Sequence, residues 1–216
     1  MIKAFLFDLN GTMIEDMSYH INAWHNIFIK LGAKYTFQQS QEQCYGKNAE
    51  ILERIFPERF SQEEKEKIGH DKEATYRIEY KPFLKLIAGL HQFLAAAKKQ
   101  NIKMAIGSAA MKLNIDFVVD NLNIRHYFDA IISGDDVVKS KPDAETYLKC
   151  AAALNIEPQQ CLVFEDVPKG VESADNAGMH AVVITGLHSQ KEFVTFDNVI
   201  RFIKDYNGLL VEELKL

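Results

Sequence analysis

The sequence predicts an α/β fold: a parallel sheet of about five strands covered by helices on both faces and interrupted after its first strand by an all-helical insert. Three observations predict it. From Leu86 onward short apolar runs alternate with helical segments, the pattern of a parallel sheet with crossover helices. An earlier run, Ile2 to Phe7, is apolar and aromatic-rich and reads as a further buried strand. Between Asp16 and Pro82 the pattern is helical, with no strand signal. The expected organisation is a core of residues 1–15 and 83–216 and a helical domain of residues 16–82, with a closed site between the two parts.

Taken in order, the opening strand ends at Asp8, and Gly11 permits a sharp backbone turn just after it. Ile21, Trp24, Phe28 and Leu31 recur at helical spacing, with Ser18 as the expected N-cap and Gly32 as the stop. A second helix starts at Asn48, carries Ile51, Leu52 and Ile55, and stops at Pro57. Ser61-Gln62-Glu63-Glu64 is a capping-box start for a third helix running to about Pro82. The later strands are expected at Lys103 to Gly107, Ala130 to Ser133, Cys161 to Glu165 and His180 to Ile184, and the tail from Phe193 is expected to end in a helix.

A hydrophobic fraction of 47% over 216 residues is enough to bury a sizeable core. The net charge of −5, without a Lys/Arg cluster to reverse it locally, argues against a nucleic acid or an anionic membrane as partner and leaves a small molecule. Cys44, Cys150 and Cys161 are odd in number and widely spaced, which fits reduced thiols of a cytoplasmic protein. No stretch approaches membrane-spanning length.

The strand ends carry the chemistry. Asp8 sits where a rigid strand meets a Gly-Thr turn, where a carboxylate can act as a nucleophile and ligate a hard cation. Ser108 follows the strand Met104 to Gly107, and its hydroxyl and the next backbone N–H groups, at a helix start, can hold phosphate oxygens. Lys141 precedes Pro142, a residue suited to the first position of a helix, and offers a counter-charge. Glu165 and Asp166 end another strand, where two adjacent acids repel unless a cation lies between them and Asp8. Singly, each has an ordinary explanation as a turn, cap or surface residue. Four strand ends delivering nucleophile, hydroxyl, lysine and acid pair in that order single them out.

With Phe7-Asp8-Leu9-Asn10-Gly11-Thr12, Gly107-Ser108-Ala109, Ser140-Lys141-Pro142-Asp143 and Phe164-Glu165-Asp166-Val167-Pro168-Lys169-Gly170, the chain resembles the haloacid dehalogenase superfamily, and within it the β-phosphoglucomutase-like group with a helical cap. The resemblance covers essentially the whole chain and implies a Rossmann-like sheet. It implies that Asp8 becomes a phospho-aspartate, that Ser108, Ala109 and Lys141 bind the transferring phosphoryl group, and that Mg²⁺ is held by Asp8, Asp166 and the backbone carbonyl of Asn10, with Glu165 in support. In the cap, His20 matches a hinge histidine that positions the acid/base residue, and Lys72 falls where sugar-phosphate enzymes carry a substrate-facing lysine. The implied partner is a small phosphorylated metabolite, and the implied state is a monomer.

Two departures bear on activity. The group's cap arginine for the non-transferring phosphate is matched by Gly46-Lys47-Asn48-Ala49, with alanine at that place, so Lys47 is the candidate substitute. As a point charge, it lacks the arginine's bidentate fork. Asn10 stands where the family's phosphatases and mutases have an acid/base aspartate, and an amide neither gives nor takes that proton at neutral pH. The leading expectation is therefore a Mg²⁺-dependent phosphatase or phosphomutase acting on a small phosphate ester and blunted at Asn10. The alternatives are a phosphometabolite-binding protein without turnover, and a dehalogenase-like hydrolase. Asn10-Gly11 is also a deamidation-prone pair.

Overall fold

The structure, a computed structural model, describes residues 1–214. By backbone contacts the chain divides into two compact units, Met1–Glu15 with Lys85–Leu216, and Asp16–Leu84. The strands are β1 (Ala4–Phe7), β2 (Lys103–Gly107), β3 (Ala130–Ile132), β4 (Cys161–Glu165), β5 (His180–Ile184) and β6 (Val199–Ile203). The helices are α1 (Met17–Lys30), α2 (Phe37–Gln43), α3 (Asn48–Ile55), α4 (Gln62–Tyr80), α5 (Leu90–Lys99), α6 (Lys112–Asn121), α7 (Glu145–Leu154) and α8 (Pro168–Asn176). No helix among the described residues is long and apolar enough to cross a membrane.

In the larger unit all six strands are parallel, in the order β3-β2-β1-β4-β5-β6. The four residues of β1 are wholly buried because the strand has neighbours on both edges and helices on both faces. Its alternation sorts them. Ala4 and Leu6 join Ala105, Val163, Tyr147 and Val171 in one core cluster, beneath α7 and α8. Phe5 and Phe7 face the other way, where Phe5 stacks on Phe93 of α5 at 5.5 Å and Phe7 stacks on Phe164 at 4.6 Å.

The smaller unit contains α1 to α4 around Trp24, Phe28, Ile51, Leu52 and Phe56, with Trp24 stacked on Phe28 at 5.4 Å. The capping box expected at Ser61 is present: Glu64 N–H donates to Ser61 Oγ and Ser61 N–H to Glu64 Oε2.

Five features differ from the sequence reading. A sixth strand, β6, joins the sheet, and the described part of the tail otherwise holds 3₁₀ turns at Gln190–Phe193 and Val211–Leu214, so the helix expected at the end is not there; residues 215–216 lie outside the described residues. Helix α2 adds a fourth helix to the insert, started by a capping box between Thr36 and Gln39. The cap residue of α1 is Asp16 rather than Ser18, and its carboxylate, instead of capping, receives Tyr76 OH and faces His20. Pro142 follows a cis peptide after Lys141 and does not open a helix, because α7 begins only at Glu145. Ser108 likewise lies before a turn, not at a helix start: its Oγ accepts from Ala110 N–H at 3.2 Å, and α6 begins at Lys112.

Candidate active site

In the larger unit β1 is the strand at which the chain changes direction across the sheet, β2 and β3 being added on one side and β4 to β6 on the other. Ligand sites of open α/β sheets lie beyond the carboxyl ends of the strands at such a switch point. Phe7 pairs with Ile106 of β2 and Phe164 of β4, so Asp8 leaves the sheet level with Glu165, and Ser108 and Asp166 follow one step beyond. The Asp8 N–H still donates to Phe164 O at 3.0 Å, so the carboxylate is carried on strand-like backbone.

The cation between the acids is Lys141. Its ammonium donates to Asp8 Oδ1 and to Glu165 Oε1, both at 2.7 Å, with all three side chains nearly or wholly buried. Burial pulls the ammonium down, but the carboxylates of Asp8 and Glu165 outweigh it and hold Lys141 above the usual lysine range. Glu165 is fully engaged: Oε1 also accepts from Tyr147 OH at 2.7 Å, and Oε2 accepts from the N–H groups of Asp166 and Val167. Gly170 makes room for it, since a Cβ there would lie 1.9 Å from the carboxylate.

Asp166 is the less satisfied acid. Oδ1 accepts from Thr12 Oγ1 at 3.3 Å, while Oδ2 is buried without a hydrogen-bond partner. Burial, together with the charges of Glu165 and Asp8, pushes its carboxyl well above the usual carboxylate range. Gly11, at φ +77°, leaves the space Oδ2 occupies, because a Cβ there would lie 1.9 Å from it. One oxygen from each of Asp8, Glu165 and Asp166 lies within 4.8 Å of the others. A buried, partnerless carboxylate oxygen in an all-oxygen donor set suits a hard divalent cation.

Asn10 lies in the turn after Asp8, paired in a short bridge with Ile14; the next residue, Gly11, donates its N–H to Ile14 O at 2.8 Å. That bond occupies the nitrogen that would have to attack the Asn10 side chain in deamidation. Ser108 is buried and Ala109 half-buried; Gly134 holds their loop, donating to Ala110 O at 2.8 Å and packing where a Cβ would meet Ala109 O at 2.4 Å.

The remaining candidates, His20, Lys72 and Lys47, belong to the helical unit. Lys72 is buried, and its ammonium donates to His20 Nδ1 and to Glu73 Oε1. Burial lowers its proton affinity against the pull of Glu73. An ammonium cannot accept a hydrogen bond, so with Lys72 charged His20 Nδ1 is the acceptor and Nε2 faces Asp16 Oδ2 at 3.3 Å. His20 also stacks on Tyr76, with ring centroids 4.0 Å apart. Lys47 is half-buried at the start of α3, where its backbone N–H donates to Glu50 Oε2.

Sequence reasoning missed Tyr147 and Thr12 as neighbours of the acids, and Tyr206, which is buried and donates to Thr12 O at 3.1 Å. Thr12 stands in the first motif, so its place was a usable signal. Tyr147 reads as one more apolar position of an Ala- and Leu-rich helix.

A family model of haloacid dehalogenase-like hydrolases matches residues 5–184, and the chain belongs to that family. Among curated relatives it is 28% identical to the beta-phosphoglucomutase of Bacillus subtilis over 98% of this chain and 95% of that protein. It is 27% identical to the fructose-1-phosphate phosphatase YqaB of Escherichia coli over 82% and 93%. Among solved structures, a beta-phosphoglucomutase from Clostridium difficile superposes with a TM-score of 0.85 at 27% identity, covering 99% of this chain and 96% of that one. The chain is thus a hydrolase-family protein with a Rossmann-like core.

Proposed function

We propose that the protein performs Mg²⁺-dependent phosphoryl transfer on a small phosphate ester, of the sugar-phosphate class named in its relatives, through a phospho-aspartate at Asp8. The observation that carries this reading is the convergence of Asp8, Lys141 and Asp166 at the switch point, with Asp166 Oδ2 left for a cation. Asp8, Asp166 and the Asn10 backbone carbonyl would hold Mg²⁺, with Glu165 beside them. The ion supplies charge neutralisation on the phosphoryl oxygens when bound.

Asp8 attacks phosphorus with one carboxylate oxygen, forming the acyl phosphate as the bond to the ester oxygen breaks. Lys141, Ser108 Oγ and the Ala109 N–H hold the phosphoryl oxygens. The departing alkoxide needs a proton, and the water or hydroxyl that later attacks the acyl phosphate must lose one; the amide of Asn10 serves neither. Turnover is therefore blunted while the cradle is kept. His20, Lys72 and Lys47 of the helical unit are assigned to positioning and choice of ester. The free thiols Cys44, Cys150 and Cys161 favour a reducing, cytoplasmic setting.

Acetyl phosphate has a good leaving group and bypasses the first proton. With Mg²⁺ it should give a long-lived phosphoryl adduct by intact mass, while Asn10→Asp should clear the adduct roughly 10²–10⁴-fold faster. A phosphate-release screen over sugar phosphates, nucleotides and pyrophosphate on Asn10→Asp, with and without Lys72→Ala, should show a changed order of preference. Fast steady turnover by the parent chain, or no adduct on either protein, defeats the assignment of position 10. An equal loss for every ester makes Lys72 a structural residue.

A further inference from the structure

We propose that Tyr147 is a positioning residue: its phenol fixes Glu165, and through Glu165 it holds the Lys141 ammonium against Asp8. Tyr147 lies on the first turn of a helix that starts four residues after Lys141 and runs beneath the sheet. It is wholly buried, and its OH donates to Glu165 Oε1 at 2.7 Å, the same oxygen that receives Lys141 Nζ at 2.7 Å. The ammonium also stands over the Tyr147 ring, 4.7 Å from its centroid. One side chain thus supports the lysine twice, through its face and through the anion at its tip.

The alternatives for Glu165 are already taken. Its other oxygen accepts two backbone N–H groups, and Gly170 leaves no slack behind it. Without the phenol, Oε1 keeps only Lys141, and the carboxylate can rotate away from the line joining Lys141 to Asp8. Its helix packs close to the sheet: a Cβ on Gly107, at the end of β2, would lie 2.8 Å from Cys150 Sγ, 3.2 Å from Thr146 Cγ2 and 3.3 Å from the Tyr147 ring, so glycine there admits this face of the helix.

The kinetic consequence rests on the phosphoryl-transfer reading, whereas the positioning itself does not, and the test keeps them apart. In Tyr147→Phe the ring and its contact with the ammonium remain and only the hydroxyl is lost. The first readout is the ¹⁵N ammonium signal of Lys141, assigned by its absence in Lys141→Arg and visible because fixed hydrogen bonds slow its proton exchange. It should shift and broaden in Tyr147→Phe, and more so in Tyr147→Leu, with far-ultraviolet circular dichroism unchanged. The second is formation of the Asp8 adduct from acetyl phosphate, which should slow about 10- to 100-fold, the weight of one hydrogen bond to a charged group. An ammonium signal in Tyr147→Phe that coincides with the parent's overturns the positioning role, whatever the kinetics. No adduct on the parent or the variant overturns the phosphoryl-transfer reading instead, and the ammonium signal still decides the role of Tyr147.

Discussion

Lys141 Nζ and Asp8 Oδ1 lie 2.7 Å apart although 133 residues separate them in the chain. The pair brings a buried carboxylate and a buried ammonium together at the tip of the central strand, where neither would be stable alone. Asp8 is therefore held in place before any ligand arrives, as the attack proposed for its carboxylate requires.

Metal binding should separate Glu165, the last residue of β4, from Asp166, which follows it. Calorimetry with Mg²⁺ is expected to show Asp166→Ala weakening binding by at least about tenfold, while Glu165→Ala, which removes the partner of Lys141, weakens it less. Equal losses would overturn the different roles given to the two acids, and no Mg²⁺ binding by the parent chain with or without a phosphate analogue would remove Mg²⁺ from the mechanism.

Two glycines make a controlled comparison. Gly11 and Gly178 both have positive φ, +77° and +71°, but a Cβ on Gly11 would lie 1.9 Å from Asp166 Oδ2, whereas on Gly178 the nearest atom is Gln159 Nε2 at 3.6 Å. Gly178→Ala should cost about 1–2 kcal/mol in urea unfolding, the strain of a left-handed residue, and leave Mg²⁺ binding alone. Gly11→Ala should cost more and also abolish Mg²⁺ binding. Normal binding in Gly11→Ala would show that Asp166 is not held where its neighbours place it.

The Asn10-Gly11 pair, prone to deamidation as a sequence, should be slow in the folded protein because Gly11 N–H is bonded to Ile14 O at 2.8 Å. Cyclisation would require opening that turn first. Peptide mass spectrometry after incubation at pH 8 should find conversion faster in urea than under native conditions. Matching rates in the two states would mean that the turn gives no protection.

Five of the six strands were legible because each is a short apolar run bounded by polar or turn residues, as in Cys161–Glu165. The sixth, Val199–Ile203, was not: all five of its residues are only half-buried, Arg201 interrupts the apolar run, and its pairing with β5 carries a register shift after Ala181. Helix α2 hid because Phe37-Gln38-Gln39-Ser40-Gln41-Glu42-Gln43 has no apolar period, although Thr36 and Gln39 carried the capping signal. In the site, motif residues at strand ends could be named from spacing alone. That Glu165 is spent on Lys141 and Tyr147, while Asp166 keeps an unpartnered oxygen, depends on side-chain packing that spacing does not encode.

The place of β1 at the middle of the sheet has a consequence for synthesis. The strand leaves the ribosome first, yet its partners are β2, beginning at Lys103, and β4, beginning at Cys161. Until Cys161–Glu165 has been made, the wholly apolar β1 lacks one of its edges, and Asp8 lacks Glu165 and Asp166. The nascent chain must therefore keep Phe5 and Phe7 from other strands throughout that interval, and the cluster around Asp8 assembles only once β4 has been made and the sheet closes on both edges of β1.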